Sequence, residues 1–402
     1  MRCRLVLCDN RVSGFHWLQP WPNEINMAIG SLGIEPSGDA KHMFIHNSWY
    51  IAAEPEELAG GKIVGRTILG KRVAVYRGAS GHIVAIEDAC PHRRAPLSLG
   101  KVRGDGVQCA YHGAQFGPDG RCTNVPGQKV VPPRAVVKTY PVVERHGYIW
   151  VWLGAPEKAS DESSIPDGFW VSGDPKWIGG YGHMESIKAD YRIINDNLFD
   201  ITHAEFVHPE SFGGVEVQFY RHARPGAEYV DRGMSFEIRD TSIRFRTHAA
   251  ALGMEGGPLW RSMLAQSRGL KDWVEPIDFR MEVIWWAPCY TSFHITVRPT
   301  GEPNAKPVEI YNLHAAVPET TTSSHYFYRS VRNYGDASMN SAFIEAVNFV
   351  FNQDKPILEG QQAVLGARDL PETNPISFSG DRLPLEGRRI LERLLGAEQT
   401  GT

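Results

Sequence analysis

Two short cysteine–histidine pairs constrain this chain more than any other feature. Cys90-Pro91-His92 has the spacing C-x-H, and Cys109-Ala110-Tyr111-His112 has the spacing C-x-x-H. Residues 93–108 lie between the pairs, room for two hairpin strands and a turn. Pro91 stiffens the first pair, and Gly113 follows the second. Two sulfurs and two ring nitrogens from two facing loops suit two kinds of metal site. One is tetrahedral zinc. The other is a [2Fe–2S] cluster in which two thiolates hold one iron and two imidazoles the other.

Structural zinc usually repeats one kind of clip, C-x2-C with H-x3–5-H. Here each half mixes one sulfur with one nitrogen. A Rieske cluster needs that mixture, because each iron draws one ligand of its type from each loop. The mixed halves favour the Rieske arrangement over zinc.

A second stretch adds to this. Asp200, His203 and His208 form the pattern D-x-x-H-x-x-x-x-H, with Asn197 three residues ahead. The run Asn195–His208 reads as one helix ended by Pro209. At about 100° per residue, all four side chains fall within an arc of about 140°. Leu198, Phe199, Ile201, Phe206 and Val207 flank that polar arc. On a lone helix such an arc would face water. Turned into a core, it is costly unless it binds something. Two histidines with an open face suit the 2-His-1-carboxylate triad of non-haem Fe(II) sites. The residues alone leave the carboxylate open. Asp200 is the local candidate. Asp354, beside Lys355, reads equally well as a surface charge.

The segments CPHRRAPLSLG and CAYHG, with Phe116, Gly120-Arg121-Cys122 and Pro126, resemble the Rieske domain of Rieske non-haem iron oxygenases. The likeness is greatest to the demethylating branch that includes vanillate and dicamba O-demethylase oxygenase components. It runs from about Met43 to about Gly366, with a minor departure at Ala114. The resemblance implies that Cys90, His92, Cys109 and His112 hold the cluster. It also selects Asp354 as the third iron ligand beside His203 and His208. The family carries an Asp-Lys pair followed by a Glu in its last long helix, as Asp354-Lys355 and Glu359 do here. Asp200 is then free to bond His203 and, across a subunit boundary, His112 of the partner subunit. Asn197 would sit beside the iron ligands. The implied working unit is a homotrimer.

The expected fold class is α+β. An irregular extension spans residues 1–42, an all-β Rieske domain 43–156, and a mononuclear iron domain 157–402, with a curved antiparallel sheet wrapped by helices. Trp49–Ala53 is a compact apolar run, and strands are expected at Arg72–Arg77, His82–Glu87, Gly106–Gln108 and Tyr148–Leu153. Further strands are expected at Met184–Tyr191, Met234–Arg239, Ser242–Thr247, Ile277–Trp286, Thr291–Val297 and Val308–Val317. Ser338 is the expected N-cap of a long helix from Met339 to about Gln362.

A net charge of −4 gives no electrostatic case for nucleic acid or an anionic membrane. Six irregularly spaced cysteines do not make a disulfide framework and point to a reducing cytosol. No apolar run approaches a membrane span, and Asp9-Asn10-Arg11 interrupts the short apolar start too soon for a signal peptide.

The expected activity is that of a terminal oxygenase. It would use O2 and electrons from a separate NADH-dependent reductase, with or without a ferredoxin. This chain has no G-x-G-x-x-G after a strand to bind a nicotinamide cofactor itself. The branch implies hydroxylation of an O-methyl carbon on an aromatic, methoxybenzoate-like substrate. Ring or methyl hydroxylation uses the same two metal sites and stays open. A Rieske electron carrier or a zinc-stabilised binding module would fit the first motif alone. Trp285, Trp286, Tyr290, Phe293 and His294 could line a pocket, and Arg298 or His248 could meet a carboxylate; plain packing is the simpler reading of each.

Overall fold

The computed structural model describes residues 43–211, 234–247, 253, 256–378 and 380–400. The extension expected over residues 1–42 lies outside them, as does His248.

Short strands separated by tight turns build the N-terminal part. They are β1 (Trp49–Ala53), β2 (Ile63–Ile68), β3 (Lys71–Arg77), β4 (Ile83–Glu87), β5 (Lys101–Arg103), β6 (Gly106–Gln108), β7 (Gln115–Phe116), β8 (Cys122–Asn124), β9 (Thr139–Tyr140), β10 (Val142–Arg145) and β11 (Tyr148–Trp152). They pair in three antiparallel sheets, ordered β2-β3-β4-β9, β5-β6-β7-β8 and β1-β11-β10. Tyr148–Trp152 is apolar throughout and wholly buried, so it packs on both faces. Two loops leave this framework at one end. One follows β4 and carries Cys90 and His92. The other joins β6 to β7 and carries Cys109 and His112.

One seven-stranded antiparallel sheet organises the rest. Its strands are β12 (Ile178–Ile187), β13 (Met234–Ile238), β14 (Ser242–Thr247), β15 (Ile277–Trp286), β16 (Tyr290–Pro299), β17 (Val308–Thr320) and β18 (Ser323–Arg332), in the order β12-β18-β17-β16-β15-β14-β13. Along β15 every second residue is buried, the period-2 signature of a strand with one fully packed face. The helices are α1 (Tyr191–Phe199), α2 (Ala204–Val207), α3 (Pro258–Ser267), α4 (Asn340–Leu365) and α5 (Arg382–Thr400). Main-chain bonds from Leu69 and Gly70 to the Pro318 and Glu319 carbonyls join the two parts. So does the Tyr290 hydroxyl, which donates to the Trp49 carbonyl at 2.5 Å.

Three local expectations need correction. The helix expected over 195–208 is broken. The α1 helix ends at Phe199, Asp200 is extended, and one 3-10 turn (Ile201–His203) precedes α2. The cause is local. The Asp200 Oδ1 atom accepts from the Thr202 N–H at 2.8 Å and from its hydroxyl at 2.5 Å, and this turn competes with the helical ladder. The residues expected to be strand after Ile187 instead turn, and Tyr191 opens α1. Its cap is Asp190, which accepts from the Arg192 N–H at 2.8 Å. Finally, Ser338 does not cap α4: it lies in a 3-10 turn (Ala337–Met339) that is capped by Asp336 and leads into the helix, and it donates both its N–H and its hydroxyl to the Asp336 carboxylate. The α4 helix then runs through Pro356 to Leu365.

A buried ionic chain holds α1 in place. Arg192 pairs with Asp190 at 2.6 Å and with Asp369 at 2.5 Å. Arg388, on α5, pairs with Asp369 at 3.0 Å and with Asp196 at 2.5 Å. Gly387 lets α5 come close, since a Cβ there would meet the Phe199 ring at 2.7 Å.

Candidate active site

The two cysteine–histidine loops share one backbone plan. In the first, the Cys90 N–H donates to the Ala95 carbonyl and the Arg94 N–H returns to the Cys90 carbonyl, at 2.9 and 2.8 Å. In the second, Cys109 N–H donates to Ala114 and Gly113 N–H returns to Cys109, at 2.9 and 3.1 Å. The residue that closes each loop, Arg94 or Gly113, has positive φ, 58° and 74°. Glycine takes that conformation freely. Arg94 takes it while its guanidinium pairs with Glu87 at 2.5 Å. The two loops thus present equivalent cysteines. Both are buried, and neither is in a disulfide. Burial and the neighbouring Cys109 sulfur push the Cys90 thiol up. His92 and His112 lie at the exposed tip, with ring centroids 4.7 Å apart. Two soft sulfurs inside and two imidazoles at the rim fit a Rieske cluster as a donor set.

The second site forms where the broken helix meets α4. Buried positions on α4 recur at Phe343, Val347, Val350, Asp354, Leu358 and Gln362. Asp354 therefore occupies the stripe that packs inward. Its Oδ1 lies 3.4 Å from His203 Nε2 and 3.2 Å from His208 Nε2. The Asn197 amide donates to the same oxygen at 3.3 Å. One ligand atom from each of His203, His208 and Asp354 falls within 4.8 Å of the other two. Burial pushes the Asp354 carboxyl up, but the two imidazoles outweigh it and hold it at about 2. Burial pushes His203 down, and the Asp354 carboxylate outweighs that and raises it. The two shifts are two sides of one interaction, a carboxylate that faces two imidazoles across a small gap. Two imidazoles and one carboxylate around such a gap fit a mononuclear Fe(II).

The back sides of the histidines are held too. His208 Nδ1 bonds Gln353 Oε1 at 2.9 Å, which leaves Nε2 facing Asp354. His203 Nδ1 bonds the main-chain carbonyl of Asp200. The expected contact between Asp200 and His203 is therefore made by the backbone, while the carboxylate engages Thr202. Gln353 was missed in the sequence; adjacency to Asp354 on α4 was its only signal.

The triad stands at one end of a cavity of about 910 Å³ of empty space, part of it open to solvent. Its walls come from the inner face of the sheet (Phe279, Met281, Phe293, Ile295), from α3 (Trp260, Met263) and from α4 (Phe343, Val347, Val350, Phe351). Asn312 and His314 of β17 are its polar members apart from the triad, Asn197 and the Trp260 indole. Burial holds His314 down at about 3, against the opposing charge of Asp354. Of the pocket residues considered in the sequence, Phe293 lines the cavity. Trp286 and His294 line a separate cleft, Trp285 and Tyr290 are buried, and Arg298 donates to the Pro303 carbonyl.

A cluster-type double loop joined to a sheet-and-helix part with a 2-His-1-carboxylate group defines an oxygenase component with a Rieske cluster and non-haem iron. Known proteins agree. Residues 48–141 match the Rieske [2Fe–2S] domain, and residues 187–397 match the C-terminal domain of vanillate O-demethylase oxygenase. The iron–sulfur subunit of the toluene-4-sulfonate monooxygenase system of Comamonas testosteroni is 32% identical over 362 residues, 90% of this chain and 99% of that one. A vanillate O-demethylase oxygenase subunit from a Pseudomonas species is 35% identical, across 89% of this chain and 96% of its own length. The crystal structure of dicamba monooxygenase bound to 3,6-dichlorosalicylic acid superposes with a TM-score of 0.73 at 31% identity, over 89% of this chain and 99% of that one. The same enzyme is known with non-haem iron and dicamba. The chain belongs to the Rieske non-haem iron oxygenases, in the group of the vanillate and dicamba O-demethylase oxygenase components. It is an oxidoreductase component of a multicomponent monooxygenase system. Among the described residues no helix is long and apolar enough to cross a membrane.

Proposed function

We propose that the chain hydroxylates the methyl carbon of an aromatic methyl ether and so demethylates it. The observation that carries this reading is the apolar, aromatic-walled cavity that ends at His203, His208 and Asp354. In this reading Cys90, His92, Cys109 and His112 hold the cluster, and the three triad residues hold the iron. The cluster supplies single electrons, and the iron supplies O2 activation beside the bound substrate. The balance is one ether, one O2, two electrons and two protons giving a hemiacetal and one water. The hemiacetal C–O bond then breaks to release a phenol and formaldehyde.

The protein's part is placement and exclusion of water. Phe293, Ile295, Phe343 and Phe351 present apolar surface to an aromatic ring. Gln353 fixes the tautomer of His208, and the Asp200 carbonyl that of His203. Asn197 holds the Asp354 carboxylate in the orientation that faces both histidines. Electrons come from a separate NADH-dependent reductase, with or without a ferredoxin.

We further propose a homotrimer in which the cluster of one subunit serves the iron of the next, through Asp200 and His112 of the partner subunit. Two exposed patches support it. His92, Tyr111 and His112 stand at the surface at the cluster tip. At the iron end Phe206 is 80% exposed, and Phe378 is 79% exposed two residues before Gly380, which lies against Thr202 and Asp200. Large exposed apolar side chains beside a functional site suit a contact surface. The proposed divisions at residues 43–156 and 157–402 follow the same plan. The cytoplasmic setting is part of the proposal, since six irregularly spaced cysteines make no disulfide framework.

The test is formaldehyde release. Iron-loaded protein would receive NADH, a surrogate reductase and a panel of methoxylated aromatics, with oxygen uptake and peroxide followed together. Formaldehyde equal to oxygen consumed supports demethylation. Hydroxylated product without formaldehyde refutes it in favour of ring or methyl hydroxylation. A monomeric mass in sedimentation together with full turnover would rule out the trimer.

A further inference from the structure

Polar side chains interrupt the apolar inner face of the large sheet beside the cavity. Directly paired positions place Asn312 on β17 beside Phe293 on β16 and Ser330 on β18, and place His314 beside Thr291. Asn312 Oδ1, Ser330 Oγ and Thr291 Oγ1 are all buried, and none has a hydrogen-bond partner. Buried polar atoms are normally satisfied, so an unsatisfied group calls for water or a ligand. Asn312 is the member of this set that lines the cavity, and His314 next to it is buried and bonded to the Tyr326 hydroxyl at 2.7 Å.

The charge of the cavity is equally telling. Among the described residues its walls contain no lysine and no arginine. The charge of an iron at the triad is shared with Asp354. Among the described residues Arg332, which stacks on Phe343 behind the wall, already donates to Asn340 and to the Asp336 carbonyl, so an ionised carboxylate or sulfonate brought among Phe293, Ile295 and Ile310 would lose its water without gaining a cationic side chain from the described walls, which is costly. An uncharged hydroxyl or carboxamide meets no such penalty and finds a carboxamide partner in Asn312.

We infer that the substrate is an uncharged aromatic ether whose hydrogen-bonding substituent seats against Asn312, making Asn312 the residue that selects it. The inference rests on the demethylase reading for the ether alone; the choice of substituent follows from the cavity wall.

The test uses the iron- and cluster-loaded protein and four para-substituted anisoles: 4-methoxyphenol, 4-methoxybenzamide, 4-methylanisole and 4-methoxybenzoate. Calorimetric dissociation constants and formaldehyde yields are measured for the wild type and for Asn312→Leu, which keeps the volume and removes the amide. In the wild type the phenol or the benzamide binds about tenfold tighter than the methyl compound, the order expected for one buried hydrogen bond, and the benzoate binds weakest. In Asn312→Leu that tenfold preference disappears while the methyl compound binds at least as well. Because the wild-type series needs no variant, poor folding of Asn312→Leu leaves the test intact. A benzoate that binds as tightly as the phenol, a flat series or no binding by any of the four overturns the inference. The expected order of binding with no formaldehyde supports the inference and refutes demethylation instead.

Discussion

Replacing Gln353 by leucine tests whether the second iron site is built as described. Gln353 Oε1 bonds His208 Nδ1 at 2.9 Å, and His208 is almost wholly buried, with a side chain 2% exposed. The bond keeps the proton on Nδ1 and the lone pair on Nε2, the atom 3.2 Å from Asp354 Oδ1. Leucine fills similar space but accepts nothing. The Nδ1–H then loses a buried acceptor, and the imidazole loses what holds its tautomer and ring plane. Such outer partners are worth about 10- to 100-fold in metal affinity, or about 1.4–2.7 kcal/mol. The assay is the Fe(II) dissociation constant by competition with a chromophoric chelator, with the visible spectrum of the cluster and the thermal unfolding midpoint as controls. The expected result is weaker iron binding by that factor with an intact cluster. Gln353→Glu, which keeps an acceptor, should restore affinity to within about threefold. Iron affinity within twofold of wild type in the leucine variant would refute the reasoning. So would iron loss that tracks loss of the cluster, since that signals general unfolding.

Three further outcomes are expected. Asp200→Asn should retain both metals and slow oxidation of the reduced cluster in a single turnover; normal single-turnover oxidation would exclude a bridging role for Asp200. Arg388→Leu should destabilise the protein by about 3–5 kcal/mol, because it leaves the Asp196 carboxylate without its buried partner and Asp369 with Arg192 alone. Urea unfolding measures this, and a loss under 1 kcal/mol would mean that the ionic chain does not hold α1. Acidification should weaken the fold through His183. Burial, then the charge of Arg66, pushes its imidazole from 6.5 down to about 2. Its folded pKa lies below its unfolded one, so the unfolded chain binds the extra proton, and stability falls as pH drops below about 6.5. The slope from this group approaches about 1.4 kcal/mol per pH unit. His183→Gln should be less sensitive between pH 6.5 and 5, and an identical pH dependence of unfolding in the two proteins would count against this.

Legibility differed sharply between elements. The strands β3, β4, β11, β14 and β15 follow their alternation or apolar runs and were readable to within a residue or two. The β18 strand was not anticipated at all. Its sequence, Ser323–Arg332, is rich in polar residues, yet Ser324, His325, Ser330 and Arg332 are buried because β12 and β17 flank it on both sides. Polar composition reads as exposure when the neighbours are unknown. The α5 helix was missed for a related reason. Its glycine at 387 weakens the helical signal, and its use, a close approach to Phe199, exists only after folding.

Six of the seven candidate metal ligands are legible in short stretches of sequence. Ligand type and local spacing are properties of adjacent residues, so the two Cys-His pairs and the His203/His208 pair were visible as strings. The triad's carboxylate was different. Asp354 lies 146 residues from His208, and physical reasoning could not distinguish it from a surface charge. The resemblance to a family singled it out, and its place on the buried stripe of α4 explains it. Tertiary structure also decided three things no string contains. The segment that carries His203 and His208 is a helix broken at Asp200 and not one polar face. The Asp200 backbone, not its carboxylate, orients His203. The cavity wall joins β15, β16, β17, α3 and α4, so its apolar lining and the placement of Asn312 arise from packing between residues distant in the chain. Coordination chemistry is local and survives in a sequence; the shape and polarity of a cavity are collective and appear only when the sheet and helices close around it.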